Sequence, residues 1–342
     1  MRIAIVNDMT LAVEALRRVI SSEPDYTVAW IARDGCEAVQ LCREDKPDLV
    51  LMDLMMPNLN GVEATHRIMA DSPCPILVVT SSVGKMAPEV FEALGAGALD
   101  AIGTPVMGPE LDGSTLLRKV RQLGRLITQS ESSRKTPKPP DRSLGNSGLP
   151  LVVLGASSGG PRALVQVLRN LPKSLSAAIV VVQHIDYEFV PGLVTWLGAE
   201  CKRKITPTKS GKQPQPGDVW VAATQKQLSL SKMGQFKHLA GSKDSVYQPS
   251  IDVFFESVAL NWKGPAIGVI LSGMGSDGAK GLHKLRLAGH HTIAQDEKTS
   301  TIFGMPKAAV QRGAACEVLP LKEIADSIAS RVNKMQRTRK RK

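Results

Sequence analysis

The sequence predicts two α/β domains that are joined by a linker and followed by a basic tail. The chain has 342 residues, which is enough to form two separate cores. In both halves, short aliphatic and β-branched runs alternate with helical patterns, as is typical of parallel sheets covered by helices. Between the halves, residues 127–148 are rich in Ser, Pro, Lys and Gly and have no apolar period. We therefore predict domains at 1–126 and 149–330, a flexible linker at 127–148 and a basic tail at 331–342.

The first predicted domain contains five apolar runs, each of a length suited to a buried strand. Amphipathic segments such as LAVEALRRVI and GCEAVQLCRED separate the runs. This alternation predicts a five-stranded parallel sheet of the flavodoxin-like type, with functional side chains at the carboxyl ends of the strands. The runs are IAIV at 3–6, TVAWIA at 27–32, DLVLMD at 48–53, PILVVT at 75–80 and ALDAIG at 98–103.

The second predicted domain has the same alternation but a different middle section. Its main apolar runs end at turns or polar residues, and helical patterns follow several of them. They are LPLVVLGA, AAIVVVQH, PAIGVILSG and HHTIAQ. The middle section, GDVWVAATQKQLSLSKMGQFKHLA, has shorter alternating runs that are typical of antiparallel strands. We predict a doubly wound, mostly parallel α/β domain with an antiparallel hairpin.

The composition limits the class of protein. The five cysteines are scattered and form no CxxC pair, so they predict neither a disulfide framework nor a zinc site. The first residues lack the pattern of a secretory signal, and no stretch approaches 18 consecutive apolar residues. We expect a cytoplasmic protein that is not inserted in a membrane.

The net charge of +11 is unevenly distributed along the chain. Residues 1–126 carry 12 basic and 17 acidic side chains, whereas residues 149–330 carry 20 and 13. Residues 331–342 carry seven basic side chains and no acidic one. This uneven distribution argues against nucleic-acid binding as the explanation of the net charge of +11. We expect the tail to be frayed and solvated, with attraction to an anionic partner as the alternative.

Two acidic residues follow predicted strands of the first domain. Asp8 follows the first strand and Asp53 ends the third, so their carboxylates are expected to converge at one edge of the sheet. Converging carboxylates favour Mg²⁺, which would neutralise a phosphoryl group transferred to one of them. Thr80, at the end of the fourth strand, would supply a hydroxyl. The alternative is that Asp8 and Thr80 cap the helices that follow them.

The first domain resembles the receiver domain of two-component response regulators. The resemblance is carried, in order, by VNDMTLAVEALRRVI, LVLMDLMMPNLNGVEATHRIM, VVTSS and AGALDAIGTP. It implies Asp53 as the phosphoryl acceptor, Asp8 and Asp53 as Mg²⁺ ligands and Thr80 as the switch hydroxyl. Two positions depart from the receiver pattern, since Asn7 replaces one residue of an acidic pair and Thr104 stands where receivers have a lysine. We expect phosphorylation at Asp53 with weaker transmission of the signal.

The stretch GASSGGP at 155–161 is either a phosphate-binding loop or a turn that presents a nucleophile. A dinucleotide-binding loop requires G-x-G-x-x-G and an acidic residue at the end of the next strand. Here the glycine spacing differs, and the next apolar run ends in Gln183 and His184. The residues match G-x-S-x-G with Ser157 at its centre. A helix-capping role for Ser157 is the alternative.

A serine nucleophile needs a histidine base and a carboxylate that orients it. Of the six histidines, His184 ends a continuous apolar run, and the ends of parallel strands meet in one crevice. Asp277 lies in a glycine-rich turn after another apolar run and is the candidate carboxylate. Asp186, two residues beyond His184, is the alternative. The chain order Ser, His, Asp differs from that of α/β-hydrolases and predicts another fold.

The second domain resembles the catalytic domain of the CheB protein-glutamate methylesterases of bacterial chemosensory systems. The resemblance is carried, in order, by LGASSGGP, VVVQHI, PSIDVFFESVA, GVILSGMGSDGAKGL and TIAQDEKTSTIFGMPKAA. It implies Ser157 as the nucleophile, His184 as the general base and Asp277 as its orienting carboxylate. It also implies that the backbone N–H of Met274 contributes to the oxyanion hole.

The two resemblances together imply a phosphorylation-regulated hydrolase that removes methyl groups from glutamate γ-methyl esters on the cytoplasmic domains of chemoreceptors. Deamidation of glutamine is a second activity of the family. A chemosensory histidine kinase would be the phosphodonor, Mg²⁺ would bind the receiver, and the esterase chemistry would need no cofactor. In the family, the unphosphorylated receiver covers the active site. We expect a monomer.

The alternative from another class is a non-catalytic, receiver-containing adaptor that docks on receptors. A regulator that binds DNA would need a helix-turn-helix after the linker, and this chain has strand-ending motifs there instead.

Overall fold

The computed structural model describes residues 1–80, 87–105, 113–127, 148–240 and 247–340. The chain divides into two compact units, residues 1–132 and 133–342. Each unit contains its own sheet and core. The predicted class, two α/β domains with largely parallel sheets, is confirmed.

The first unit alternates strands and helices from its first residues. Its strands are Arg2–Val6 (β1), Thr27–Ala32 (β2), Leu49–Met52 (β3), Ile76–Thr80 (β4) and Asp100–Gly103 (β5). Its helices are Thr10–Ser21 (α1), Gly35–Glu44 (α2), Gly61–Asp71 (α3), Ala87–Ala96 (α4) and Ser114–Ile127 (α5). All the strands pair in parallel in the order β2-β1-β3-β4-β5, so each of the five predicted runs forms a strand of one sheet.

The second unit contains a larger sheet and a separate hairpin. Its strands are Leu151–Ala156 (β6), Ala178–Gln183 (β7), Thr206–Pro207 (β8), Val219–Val221 (β9), Gln227–Leu230 (β10), Phe236–Leu239 (β11), Ala266–Ile270 (β12), His291–Gln295 (β13) and Glu317–Leu319 (β14). Its helices are Gly160–Asn170 (α6), Val190–Cys201 (α7), Ile251–Asn261 (α8), Ala279–Leu287 (α9), Met305–Gln311 (α10) and Leu321–Lys340 (α11), and a 3₁₀ turn spans Tyr187–Phe189.

The larger sheet is parallel, with the strand order β14-β13-β12-β6-β7-β9-β8. Helix α6 packs against α7 and α11, whereas α9 packs against α8 and α10. The central strands β6, β7 and β12 are buried along their whole length, which explains their continuous apolar sequences. Strands β10 and β11 form the antiparallel hairpin that the middle section predicts, and α8 packs on β10.

The start of the predicted linker and the predicted tail both differ from the prediction. Helix α5 extends to Ile127, the first residue of the predicted linker, and residues 128–147 lie outside the described part of the chain. Residues 331–340 continue α11 instead of fraying. The reason is that the apolar helical period continues past residue 330, so that Ile328 and Val332 are both fully buried. Arg331 also forms an ion pair with Glu317.

His290 is a structural histidine immediately before β13. Its Nδ1 accepts a hydrogen bond from the backbone N–H of Ala266 at 3.2 Å, and 6% of the residue is exposed. Burial lowers the pKa of His290 from 6.5 to about 4, because the protonated ring would be desolvated. His290 therefore favours folding only while it is neutral.

The stability of the second unit is expected to depend on pH through His290. The unfolded chain takes up a proton below pH 6.5 and the folded chain only near pH 4, so stability is complete above pH 6.5 and falls as the pH approaches 4. The loss approaches about 3 kcal/mol. Urea unfolding followed by tryptophan fluorescence in a Trp30→Phe background reports the second unit. His290→Gln should flatten the pH dependence, and an equal slope in both proteins would contradict this assignment.

Candidate active site and phosphorylation site

The loops after three neighbouring strands bring together the candidate residues of the second unit. Ser157 follows β6, His184 follows β7 and Asp277 lies in the loop after β12, and these strands are adjacent in the order β12-β6-β7. The backbone N–H of His184 donates to the carbonyl of Ala156 at 2.9 Å, so the parallel pairing continues to the residue before Ser157. The predicted convergence at one sheet edge is present.

The turn that carries Ser157 leaves room only for small neighbours. The Ser157 N–H donates to the carbonyl of Ser272 at 3.0 Å. Gly159 begins α6 with a φ of +72°, and a Cβ there would lie 2.6 Å from the Cβ of Thr301. A Cβ on Gly273 would lie 2.8 Å from the Cβ of Ser157. Gly159 and Gly273 are therefore required, because the neighbouring segments pack too closely to admit a side chain at either position.

His184 and Asp277 form a buried hydrogen-bonded pair. The His184 Nε2 lies 2.8 Å from the Asp277 Oδ2, and less than a tenth of either residue is exposed. Asp277 also accepts hydrogen bonds from the Ser250 hydroxyl at 2.8 Å and from the N–H groups of Ile251 at 2.7 Å and Asp252 at 3.1 Å. These three donors lie at the start of α8, where the helix dipole favours a negative charge.

The environment keeps Asp277 ionised. Burial raises the pKa of its carboxyl, but the hydrogen bond and charge of His184 and the donors of α8 outweigh burial and hold the pKa below the usual 3.8. Asp186 occupies a different position, immediately before the 3₁₀ turn. The His184 imidazole is thus paired with Asp277, which lies farther from it in the sequence than Asp186 does.

The second ring nitrogen of His184 remains available. Its Nδ1 is buried and has no hydrogen-bond partner among the described residues. No hydrogen bond joins the Ser157 hydroxyl to this nitrogen. In enzymes without substrate, such hydrogen bonds are often long and shorten only in the complex.

The loop at Met274 is the candidate oxyanion hole. It is held by Gly273, whose carbonyl accepts from Gly304 at 3.1 Å and from Met305 at 2.8 Å, and whose N–H donates to Ile302 at 3.1 Å. The Met274 N–H donates to no group in the described part of the chain, and 8% of the residue is exposed. A buried, unused N–H beside a serine is what an oxyanion hole requires.

Sequence reasoning missed three residues around this pair. Ser250 donates to Asp277, the Tyr247 ring stacks on the His184 imidazole, and Gln227 contacts the backbone of the segment that carries them. Ser250 could have been found, because a serine before the apolar pattern IDVFFESVA is a helix-capping signal. No local pattern indicates Tyr247 or Gln227.

A cavity of about 320 Å³ lies at the start of α6, on the same edge of the sheet. It is lined by Gly159, Arg162, Ala163, Gln166, Gln295, Thr299, Thr301, Leu321 and Lys322. Neither Arg162 nor Lys322 forms an ion pair with any described residue. The cavity at the start of α6, whose lining begins at Gly159, two residues beyond Ser157 in the sequence, therefore carries two positive charges that are unpaired among the described residues.

The first unit gathers its predicted residues at the carboxyl edge of its sheet. Asp53 follows β3 and donates its N–H to the carbonyl of Val6, the last residue of β1, at 2.9 Å. Thr80 ends β4, and its carbonyl accepts the N–H of Thr104 at 2.9 Å. Asp8 is exposed two residues beyond β1, whereas Asp53 and Thr80 are buried.

Asp53 is a carboxylate in an unfavourable environment. Burial, and then the negative charge of Asp8, raise its pKa from 3.8 to about 6, although the N–H of Leu54 donates to it at 2.8 Å. A divalent cation held by Asp53 and Asp8 would offset both effects on Asp53. The described residues contain no cluster of three or more His, Cys, Asp or Glu side chains suited to a metal ion.

Two family models match this chain. Residues 152–328 match the family model described as CheB methylesterase, and residues 3–114 match the response regulator receiver domain. The chain belongs to the CheB methylesterase family. A Burkholderia thailandensis protein named protein-glutamate methylesterase/protein-glutamine glutaminase 4 is 49% identical over 100% of both chains. A Bordetella avium family member of the same name, numbered 1, is 50% identical over 95% of each chain.

Solved structures of the family resemble the second unit. The CheB methylesterase catalytic domain of Thermotoga maritima is 35% identical, covers 54% of this chain and 98% of its own, and superposes with a TM-score of 0.51. No helix in the described part of the chain is both long and apolar enough to cross a membrane.

Replacing Ser250 by alanine is expected to destabilise the second unit. The change removes the donor to Asp277 and the cap of α8, which together are worth about 1–2 kcal/mol. Ser250→Thr retains the hydroxyl and should lose less than half as much. Urea unfolding of both variants in the Trp30→Phe background measures the difference, and equal losses would show that the hydroxyl contributes nothing.

Proposed function

We propose that this chain hydrolyses γ-methyl esters of glutamate on the cytoplasmic helices of chemoreceptors, releases methanol, and also deamidates glutamine. The names of its full-length relatives support this substrate class. The observation that carries the proposal is the buried His184–Asp277 pair beside a serine on a sharp strand-to-helix turn. An adaptor that only docks on receptors would have no need for this costly buried pair.

In the proposed reaction, Ser157 is the nucleophile and His184 the general base. The Ser157 Oγ bonds to the ester carbonyl carbon while its proton passes to the His184 Nδ1, since Nε2 is paired with Asp277. The negative charge of Asp277 stabilises the imidazolium that forms. The negative oxygen of the tetrahedral intermediate is stabilised by the N–H of Met274 and by the start of α6.

Two further steps complete the turnover. The bond to the methoxy group breaks as that group takes the proton from His184 and leaves as methanol. Water then attacks the acyl-serine, His184 accepts its proton and returns it to Ser157, and the product is a free glutamate. A glutamine side chain follows the same course with ammonia as the leaving group.

Regulation is proposed to act through Asp53 of the receiver. Asp53 would accept a phosphoryl group from a chemosensory histidine kinase, and Asp8 and Asp53 would hold Mg²⁺. The cation supplies positive charge that neutralises the phosphoryl group during transfer. The raised pKa of Asp53 supports this assignment, because a buried carboxylate beside a second carboxylate needs a counter-charge to ionise. Thr80 would bind the phosphoryl group, and the enzyme would act as a cytoplasmic monomer.

Removing the nucleophile is expected to abolish hydrolysis without unfolding the protein. Ser157→Ala should reduce methanol release from a methylated receptor fragment to background, because alanine fits the same tight turn. Circular dichroism and the unfolding midpoint should be unchanged. Near-normal turnover by the folded variant would exclude the serine esterase mechanism.

Replacing the two candidate carboxylate partners of His184, Asp277 and Asp186, is expected to have very different effects on kcat. Asp277→Asn should lower kcat on the order of 10⁴-fold, as in the serine-protease triad, because the imidazole loses its tautomer and charge partner. Asp186→Asn is the matched control and should remain within about twofold of wild type. The same methanol assay measures both, and the reverse ranking would reassign the orienting carboxylate.

Substrate capture is expected to depend on the charges of the crevice. We expect receptor helices that carry methylatable glutamates to be acidic, so Arg162→Gln with Lys322→Gln should raise KM roughly threefold to tenfold at low salt and leave kcat unchanged. Lys263→Gln, at the opposite end of β12, is the matched control. Added salt should remove the difference. An unchanged KM at low salt would exclude this role.

Phosphorylation is expected to activate the enzyme less than it would with a lysine at position 104. Thr104 offers no ammonium to the phosphoryl group, and a charge-assisted hydrogen bond is worth about 1.5–3 kcal/mol. Thr104→Lys should therefore show greater stimulation of methanol release by acetyl phosphate than wild type, and Asp53→Asn none. Greater stimulation of wild type than of Thr104→Lys would contradict the role given to position 104.

A further inference from the structure

The aromatic ring of Tyr247 lies directly against the proposed general base. Its centroid is 4.1 Å from the centroid of the His184 imidazole, and the two rings are nearly parallel, with an angle of 4° between their planes. We propose that Tyr247 is a positioning residue that fixes the imidazole of His184 for catalysis. This inference rests on the proposed function.

The stack restricts the imidazole in the direction that Asp277 leaves free. The hydrogen bond from Nε2 to Asp277 acts in the plane of the ring, and it resists displacement along that plane. It resists tilting of the ring only weakly. A parallel aromatic ring 4.1 Å away blocks one face, so that tilting would break the stack and the hydrogen bond together.

The stack also favours the form of His184 that arises during the reaction. When the serine proton moves to Nδ1, the imidazole becomes a cation over the π face of Tyr247. An aromatic face attracts a cation, most strongly where both are desolvated. Tyr247 thus stabilises the charged state more than the neutral one, which is the condition for acceleration of the chemical step.

The antiparallel hairpin holds Tyr247 in place. Gln227, the buried first residue of β10, donates its Nε2 hydrogen to the carbonyl of Tyr247 at 2.8 Å. Its Oε1 accepts the N–H of Ser250 at 2.7 Å. One amide side chain therefore anchors both the residue that stacks on His184 and the residue that donates to Asp277.

The tyrosine also reaches the candidate oxyanion loop. A Cβ on Gly275, the residue after Met274, would lie 3.3 Å from the Tyr247 hydroxyl, and Gly275 has a φ of +79°. The ring therefore extends from the base to the loop that would bind the oxyanion. The stacking ring, rather than the hydroxyl, is the part that the proposal requires.

The test distinguishes the role of the Tyr247 ring from that of its hydroxyl, and an effect on kcat from an effect on KM. Tyr247→Leu and Tyr247→Gln remove the stack and should lower kcat for a methylated receptor fragment roughly tenfold, with KM unchanged. Tyr247→Phe keeps the ring and should remain within about twofold of wild type. Losses of equal size in the Phe and Leu variants, or a change in KM alone, would overturn the positioning role.

A second measurement asks whether Tyr247 acts through His184. In a His184→Ala background, adding Tyr247→Leu should leave the residual rate unchanged, because the residue on which it acts is gone. A further tenfold loss there would overturn the proposal. The failure of the proposed function would look different, since wild type itself would then release no methanol, or His184→Ala would retain normal turnover.

Discussion

The carboxylate of Asp277 is the charge on which the proposed active site depends. It is buried, yet it accepts hydrogen bonds from His184, from the Ser250 hydroxyl and from two N–H groups at the start of α8. Those donors hold its pKa low in spite of burial, so the imidazole has a permanent negative partner. The same contacts fix the start of α8 relative to β7. The contacts that stabilise the start of α8 are therefore the same contacts that orient the His184 imidazole.

The topology of the sheet places the proposed nucleophile, Ser157, at the same sheet edge as this interaction. In a parallel sheet, the carboxyl ends of adjacent strands lie side by side, so residues that are far apart in sequence become neighbours there. Ser157 and His184 follow paired strands, and the loop of Asp277 follows the strand on the other side of β6. Close approach of these loops is possible because glycines stand at positions 159 and 273, where a side chain would collide with its neighbours.

The first unit uses the same edge of a parallel sheet for different chemistry. Asp53 is placed where burial and Asp8 raise its pKa to about 6, which makes it a carboxylate that gains from a cation or a phosphoryl transfer. In the second unit, donors surround the buried carboxylate and lower its pKa. The two units show how the donors around a buried aspartate decide its pKa, which is raised for Asp53 and lowered for Asp277.

The sequence by itself determined the two parallel sheets, the hairpin and the positions of Ser157, His184 and Asp277. Continuous apolar runs must be buried on both faces, and the polar residues that end them must meet at one edge. It left open which carboxylate pairs with the imidazole, and it misjudged the residues after 330, whose apolar period continues α11. Only the tertiary structure decided these points and revealed Tyr247 and Gln227. Their contacts join segments separated by loops, and the packing that aligns such segments leaves no periodic or spacing signal along the chain.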